Sequence, residues 1–180
     1  MPFDEINRLE AALSDRFPDG TVKKEDLDEI LDMMEDLFLL AYANGVESVN
    51  VMLGADISAD VSDVDDTVNR RIVGKTWRQR AEDYFSNGGS VADIVRIAET
   101  ESHRDYNEAA LQAAKKAGAK QKTWMTMLDD RVRETHDYLQ SMTVGIDEDF
   151  YTYDGDHASA PGGFGMAENN VNCRCILIFS

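Results

Sequence analysis

A one-sided apolar stripe between residues 27 and 41 is the feature that most restricts how this chain can fold. Its members recur every three or four residues, as one face of an α-helix requires: Leu27, Ile30, Leu31, Met34, Leu37, Phe38 and Ala41. Acidic residues such as Asp32 fill the opposite face. We therefore predict a helix that starts after Thr21 and continues to Gly54, either as one long helix or as two helices divided at Gly45.

Three further segments also have helical spacing. Residues 3–17 form the first, which a Pro-Asp-Gly turn ends, and residues 64–85 form another. Residues 91–117 predict the longest helix without an internal break, with Ser90 as its N-cap and Gly118 as its C-terminal stop.

The pattern changes after Gly118, where the segments become short and β-formers are frequent. In chain order we predict a strand at 122–128, a short helix at 129–140, strands at 143–146 and 150–153, a glycine-rich loop at 161–165 and a final strand at 173–179. We expect Trp124, Phe150 and Phe164 to form the core of this part.

These segments indicate an α+β fold, mainly helical in its N-terminal two-thirds, with a small C-terminal α+β unit of short strands. We divide the chain into a helical extension at residues 1–60 and a domain at residues 61–180, in which the α+β unit occupies residues 119–180. The acidic, serine-rich stretch at 56–66 is either a solvated connector or the acidic first turn of the next helix.

Carboxylates interrupt the apolar face of the long helix. Asp105 falls inside the stripe and Glu101 at its edge, and a carboxylate that faces a core is costly unless a cation pairs with it. The donors that we assign to it lie downstream, at Arg131 and Arg133, and the planar guanidinium of Arg133 can hold a carboxylate with two bonds. We predict a structural ion-pair network of these four residues, with a catalytic acid–base pair as the alternative.

The net charge of the chain limits the classes of molecule that it can bind. Asp and Glu total 35 against 18 Lys and Arg, a net charge of −17, which disfavours binding to nucleic acid without a specific site. We therefore expect no sequence-specific nucleic acid partner, and the acidity serves either solubility or docking on a basic protein. Because no apolar run is long enough to span a membrane and no secretory signal is visible, we expect no membrane association and synthesis in a cytoplasm.

Several short motifs occur in a fixed order in the second half of the chain. They are residues 98–101 (Ala-Glu-Thr-Glu), 122–124 (Lys-Thr-Trp), 129–136 (Asp-Asp-Arg-Val-Arg-Glu-Thr-His), 147–150 (Asp-Glu-Asp-Phe), 161–162 (Pro-Gly) and 172–175 (Asn-Cys-Arg-Cys). Over roughly residues 90–180 this ordered set resembles the minor head (head-morphogenesis) proteins of tailed phages typified by the F protein of phage Mu.

The resemblance implies a structural protein and not an enzyme. It places a few copies in the virion, in the capsid interior or at the portal vertex, after synthesis in the bacterial host cytoplasm. The implied partners are the portal and other head proteins, the implied roles are head assembly or genome delivery, and the chain could form an oligomer within the capsid. Some relatives carry a toxin domain, such as an ADP-ribosyltransferase, after this module, which we expect to be absent because the chain ends five residues after Cys175. The alternative is a zinc-dependent hydrolase or a degraded toxin-type enzyme.

The resemblance also raises the question of a metal. Many family members have Cys-x-x-Cys where this chain has Arg133 and His136, and a histidine where it has Asn170, and those residues together would make a structural zinc site. Here the remaining candidates are His136, Cys173 and Cys175, with His157 or an aspartate as a fourth ligand. We expect no cofactor, with the thiols packed as small buried groups and His136 as a satisfied core histidine. Zinc is the alternative, and Arg174 should point away toward an ion partner.

Overall fold

The computed structural model describes residues 3–72 and 74–180, and of Phe3 the backbone only. Its helices are Phe3–Arg16 (α1), Leu27–Leu53 (α2), Val61–Val68 (α3), Trp77–Tyr84 (α4), Val91–Lys116 (α5), Glu134–Asp137 (α6) and Ala167–Asn170 (α7). Its strands are Thr21–Val22 (β1), Gly89–Ser90 (β2), Gln121–Met125 (β3), Thr143–Gly145 (β4), Phe150–Tyr151 (β5), His157–Ala158 (β6) and Ile176–Phe179 (β7). The predicted α+β class is confirmed, and none of these helices is both long and apolar enough to cross a membrane.

The helix α2 is continuous, so Gly45 does not divide it. Gly45 lies instead where α2 crosses α5. A Cβ atom at this position would lie 2.3 Å from the carbonyl oxygen of Tyr106 and 3.0 Å from Cβ of Ala109. The missing side chain therefore allows two backbones to approach closely, a reason for glycine that a single-helix pattern does not reveal.

Two hydrophobic clusters fill the interior. The first joins α1, the first half of α2, α4 and the first half of α5, and within it the rings of Phe38 and Trp77 meet edge to face at 4.7 Å. The second joins the other half of α2 and of α5 to the C-terminal unit. Both clusters contain residues from each side of position 60, so the N-terminal helices share their core with the rest of the chain.

The C-terminal unit is built on a three-stranded antiparallel sheet in the order β4–β3–β7. In the central strand, Trp124 is paired with Leu177 of β7, and Thr123 with Thr143 of β4. A separate two-stranded antiparallel pair, β5 and β6, lies in the same unit. Trp124, Phe150 and Phe164 are all buried here, which confirms their predicted place in the core.

The predicted helix at 64–85 is wrong, because two short helices with their own caps replace it. Asp60 caps α3 by accepting a hydrogen bond from the backbone of Ser62, so the acidic stretch does contain a helix start. Thr76 and Gln79 then form a reciprocal capping box that begins α4 as a new helix.

The predicted helix at 129–140 shortens to α6, since the side chain of Asp129 accepts a bond from the backbone of Arg131 and holds a turn instead.

Candidate functional site

The buried carboxylate of α5 is paired, but with a different arginine from the predicted one. Arg104 of the same helix donates from Nη2 to Oδ1 of Asp105 at 2.7 Å and also pairs with Glu101. Arg80 of α4 pairs with the other oxygen of Glu101 at 2.8 Å. Burial raises the pKa of Asp105 to about 7, although Arg104 acts in the opposite direction. The ion-pair network therefore exists on α5 and α4, without the C-terminal arginines.

Arg131 and Arg133 lie elsewhere, which corrects their assignment to this network. Arg133 donates to the backbone carbonyls of Glu168 and Val171, and so fastens the start of α6 to α7. Arg131 is exposed and its guanidinium lies 4.0 Å from Asp129. The sequence analysis looked for the cation downstream of α5, whereas Arg104 lies on α5 itself and is buried there.

Arg174 points away from the cysteines, as predicted. Its two terminal nitrogens donate to the two carboxylate oxygens of Asp129 at 2.6 and 2.8 Å. This bidentate pair lowers the pKa of Asp129 to about 2. It joins the segment that precedes α6 to the segment that precedes β7.

The structure brings His136, Cys173 and Cys175 together in the interior. Nδ1 of His136 lies 3.6 Å from Sγ of Cys173 and 3.4 Å from Sγ of Cys175. All three side chains are buried, and their ligand atoms lie within 4.8 Å of one another. Within the described chain this group does not include His157, whose exposed ring lies 2.8 Å from Asp149.

His136 is buried as predicted, but it is not fully satisfied. Its ring packs against the rings of Trp124 and Phe164, with centroids 5.4 and 5.3 Å away. Nε2 is buried without a hydrogen-bond partner among the described residues, and Nδ1 faces the two sulfurs. The cluster therefore has donor capacity that the protein itself does not use.

A cleft of about 560 Å³ opens beside this cluster. Its wall includes His103, Arg131, Arg133, Asn172, Cys173 and Arg174. Cys173 is thus the member of the cluster that borders the cleft. The arginines make this a local concentration of positive charge on a chain whose net charge is −17.

Sequence reasoning missed His103, which connects α5 to the C-terminal unit. Nδ2 of Asn107 donates to Nε2 of His103 at 3.1 Å, and the same amide lies 3.3 Å from the carbonyl oxygen of Cys175. Burial lowers the pKa of His103 to about 4. The available signal was the run of consecutive polar residues around His103 in α5, because a helix that exposes only one face does not carry polar residues at every position.

Asp156 was also missed, and it organises the glycine-rich loop. Its carboxylate accepts hydrogen bonds from the backbones of Gly165 and Met166 at 3.0 and 3.1 Å, and from the amide of Asn169 at 2.9 Å. Although burial acts to raise the pKa of this carboxyl, these donors stabilise its charged form and the pKa is lowered. The role is structural, because the loop packs Phe164 against His136.

The chain belongs to the family described as Phage Mu protein F like protein, whose family model matches residues 62–178. Among curated proteins, it is 37% identical over 93 residues to the minor head protein GP7 of Bacillus phage SPP1. That alignment covers 50% of this chain and 30% of the relative. It is also 37% identical over 93 residues to the NAD(+)--arginine ADP-ribosyltransferase EFV of Enterococcus faecalis (strain ATCC 700802 / V583). This second alignment covers 49% of this chain and 19% of the enzyme.

This chain therefore spans less than a third of the length of these relatives. No solved structure matches it significantly.

Proposed function

We propose that this protein is a structural component of the head of a tailed phage or prophage, and that it acts in head assembly or genome delivery by associating with the portal or neighbouring head proteins. The observation that carries the proposal is the family match across residues 62–178, together with the identity to a minor head protein. Location in the virion, after synthesis in the bacterial host cytoplasm, is part of the same proposal.

A groove between α1 and α2 is the surface that we assign to docking. Most of its lining is apolar and includes Leu9, Met33 and Leu40, and two acidic residues, Glu5 and Asp36, line it together with the basic Arg8. Its volume is about 370 Å³. Between residues 3 and 40 the chain carries 12 acidic and 4 basic residues. This combination fits an apolar segment of a head protein flanked by basic residues, because the acidic surroundings favour such a partner over an acidic one.

The test compares two equivalent substitutions on one helix in capture of the purified portal protein of the same phage. Leu40 lines the groove and is 41% exposed, whereas Val51 lies outside it on α2 and is 76% exposed. We expect Leu40→Asp to weaken binding by about 10-fold or more, because a charge replaces an apolar contact. Val51→Asp should bind like the unmodified chain.

These point variants test docking more directly than deletion of residues 1–60 would. That segment contributes residues to both hydrophobic clusters, so its deletion would also disturb the fold. Capture should also weaken as ionic strength rises, since screening reduces the attraction between an acidic groove and a basic segment. If both variants capture portal as well as the unmodified chain does, docking in this groove is wrong. If the unmodified chain captures neither portal nor other head proteins, the proposed function fails.

A second candidate function is enzymatic, either a zinc-dependent hydrolase or a degraded toxin-type enzyme. Two observations favour it: the His136, Cys173 and Cys175 cluster beside a cleft, and the partial match to an ADP-ribosyltransferase. The purified chain should then consume NAD+ or hydrolyse ester substrates, and loss of that turnover in His136→Asn would support it. The structural proposal expects no turnover in either assay.

A further inference from the structure

We propose that His136, Cys173 and Cys175 bind a zinc ion through three protein ligands, with the fourth position filled by water from the adjoining cleft. The inference stands independently of the proposed function, since it uses only the geometry and chemistry of these side chains.

The spacing of the three ligand atoms fits one tetrahedral ion. With Zn–S bonds of about 2.3 Å and a Zn–N bond of about 2.0 Å, a tetrahedral angle places sulfur and nitrogen about 3.5 Å apart. The two observed distances from Nδ1 of His136 are 3.6 Å to Cys173 and 3.4 Å to Cys175. Two thiolates and an imidazole are also a donor set that zinc prefers.

Hydrogen bonds to Nδ1 of His136 alone do not satisfy both thiols. The acceptor nitrogen of a neutral imidazole has a single lone pair, so Nδ1 can accept a hydrogen bond from one thiol but not fully from two. Both sulfurs nevertheless converge on Nδ1. A cation between them would use the lone pairs of all three atoms at once. On binding, each thiol would release its proton to solvent, and Nε2 would carry the remaining imidazole proton.

The residues around the cluster leave the fourth coordination position of the ion to water. His157 lies outside the cluster, and Arg133 donates hydrogen bonds to the carbonyl oxygens of Glu168 and Val171. Cys173 borders the cleft, which gives water and small ions a route to the cluster. The bound ion would join α6 to the segment before β7, two parts of the chain that are 37 residues apart at His136 and Cys173.

The experiment is metal analysis of the purified full chain, followed by titration of the metal-free protein with zinc and with cobalt. We expect one zinc per chain and, with cobalt, the strong visible absorption of a tetrahedral ion together with a sulfur-to-cobalt charge-transfer band. Added azide should shift the visible bands, because it can replace the water. An unchanged spectrum would show that the protein closes the site and would overturn the three-ligand assignment.

Variants separate binding from packing. Cys175→Ser and His136→Asn should weaken zinc affinity by more than about 100-fold, since even supporting residues around a metal account for 10–100-fold. His157→Asn is the matched control and should bind zinc unchanged. As a second readout, zinc should raise the melting temperature of the unmodified chain and of His157→Asn, but not of the two ligand variants.

Besides an unchanged spectrum with azide, either of two further results would overturn the proposal. One is zinc binding weaker than micromolar by the unmodified chain, which would leave the cysteines as packing groups. The other is retention of full affinity by Cys175→Ser, which would place the metal elsewhere.

Discussion

Residues 91–100 of α5 bury a single apolar stripe, whereas residues 102–107 of the same helix are all buried. In the first half, Val91, Ile94, Val95 and Ala98 face the helical cluster and their neighbours face solvent. In the second half, α2 covers one side and the C-terminal unit covers another, since Gly162 contacts Arg104 and the carbonyl of Cys175 lies near Asn107. The first half could be predicted from its periodicity, and the second half could not.

The difference shows that full enclosure changes which residues a helix needs. A helix covered on every side cannot leave its polar groups in water, so each needs a partner inside the protein. Asp105 has Arg104, and His103 has Asn107. The substitutions below test whether these buried partners, and not apolar packing alone, stabilise the second half.

The largest effect is expected for Arg104→Leu, which leaves Asp105 buried without its cation. We expect a loss of about 3–5 kcal/mol in the free energy of unfolding at neutral pH, measured by urea denaturation. The pKa of Asp105, already raised to about 7 by burial, should then rise further. Because a raised acid pKa destabilises the folded state as pH increases, the loss should be larger at pH 8 than at pH 5.

The matched substitution is Arg133→Leu, at the arginine that sequence reasoning had chosen. It removes bonds to two backbone carbonyls near the surface and should lower the free energy of unfolding by only about 1–2 kcal/mol. Equal losses in the two variants, or a larger loss at Arg133, would contradict the assignment of Arg104 as the partner of Asp105.

The next prediction is that His103 makes the free energy of unfolding depend on pH. Its pKa is lowered from 6.5 to about 4 because burial disfavours the charged ring. The contribution of His103 to this free energy is fully present above pH 6.5 and is lost as pH falls toward 4, by an amount on the order of 3 kcal/mol. His103→Gln cannot titrate, so the stability difference between it and the unmodified chain should shrink over that interval. Parallel stability curves between pH 6.5 and 4 would show that His103 is not responsible.

A smaller effect than that of Arg104→Leu, and one whose sign is decisive, is expected for Gly45→Ala. If Gly45 were only a weak point in a helix, alanine would stabilise the chain by about 1 kcal/mol through helix propensity. Because a Cβ atom would lie 2.3 Å from the carbonyl oxygen of Tyr106, we expect instead a loss of about 1–3 kcal/mol. A melting temperature that rises in Gly45→Ala would contradict the close crossing of α2 and α5.

Local signals accounted for much of the fold. Helical spacing located α1, α2 and α5, and the caps at Ser90 and Thr76 lie at observed helix starts. The Thr76 cap was nevertheless overlooked, so two helices were merged into one. Short strands were located less accurately, because elements of two to five residues carry little periodicity and depend on their partners in the sheet.

The candidate site was predictable in composition but not in arrangement. The residues His136, Cys173 and Cys175 were identified from a family-like pattern, and they do meet. His157 does not join them, because the pairing of β5 with β6 places it beside Asp149. The sequence shows which residues could bind a metal, but it does not show which of their segments lie next to one another in the folded chain.

By itself, the sequence determined which faces of the helices are apolar, where the aromatic core of the C-terminal unit lies, and that Asp105 needs a cation. Only the tertiary structure decided that Arg104 is that cation, that Gly45 serves a helix crossing, and that Nδ1 of His136 faces two sulfurs. The physical reason is the separation along the chain over which each effect acts. Periodicity and capping act over a few neighbouring residues, whereas burial on a second side of α5 and convergence on His136 depend on segments that the chain brings back from far along its length.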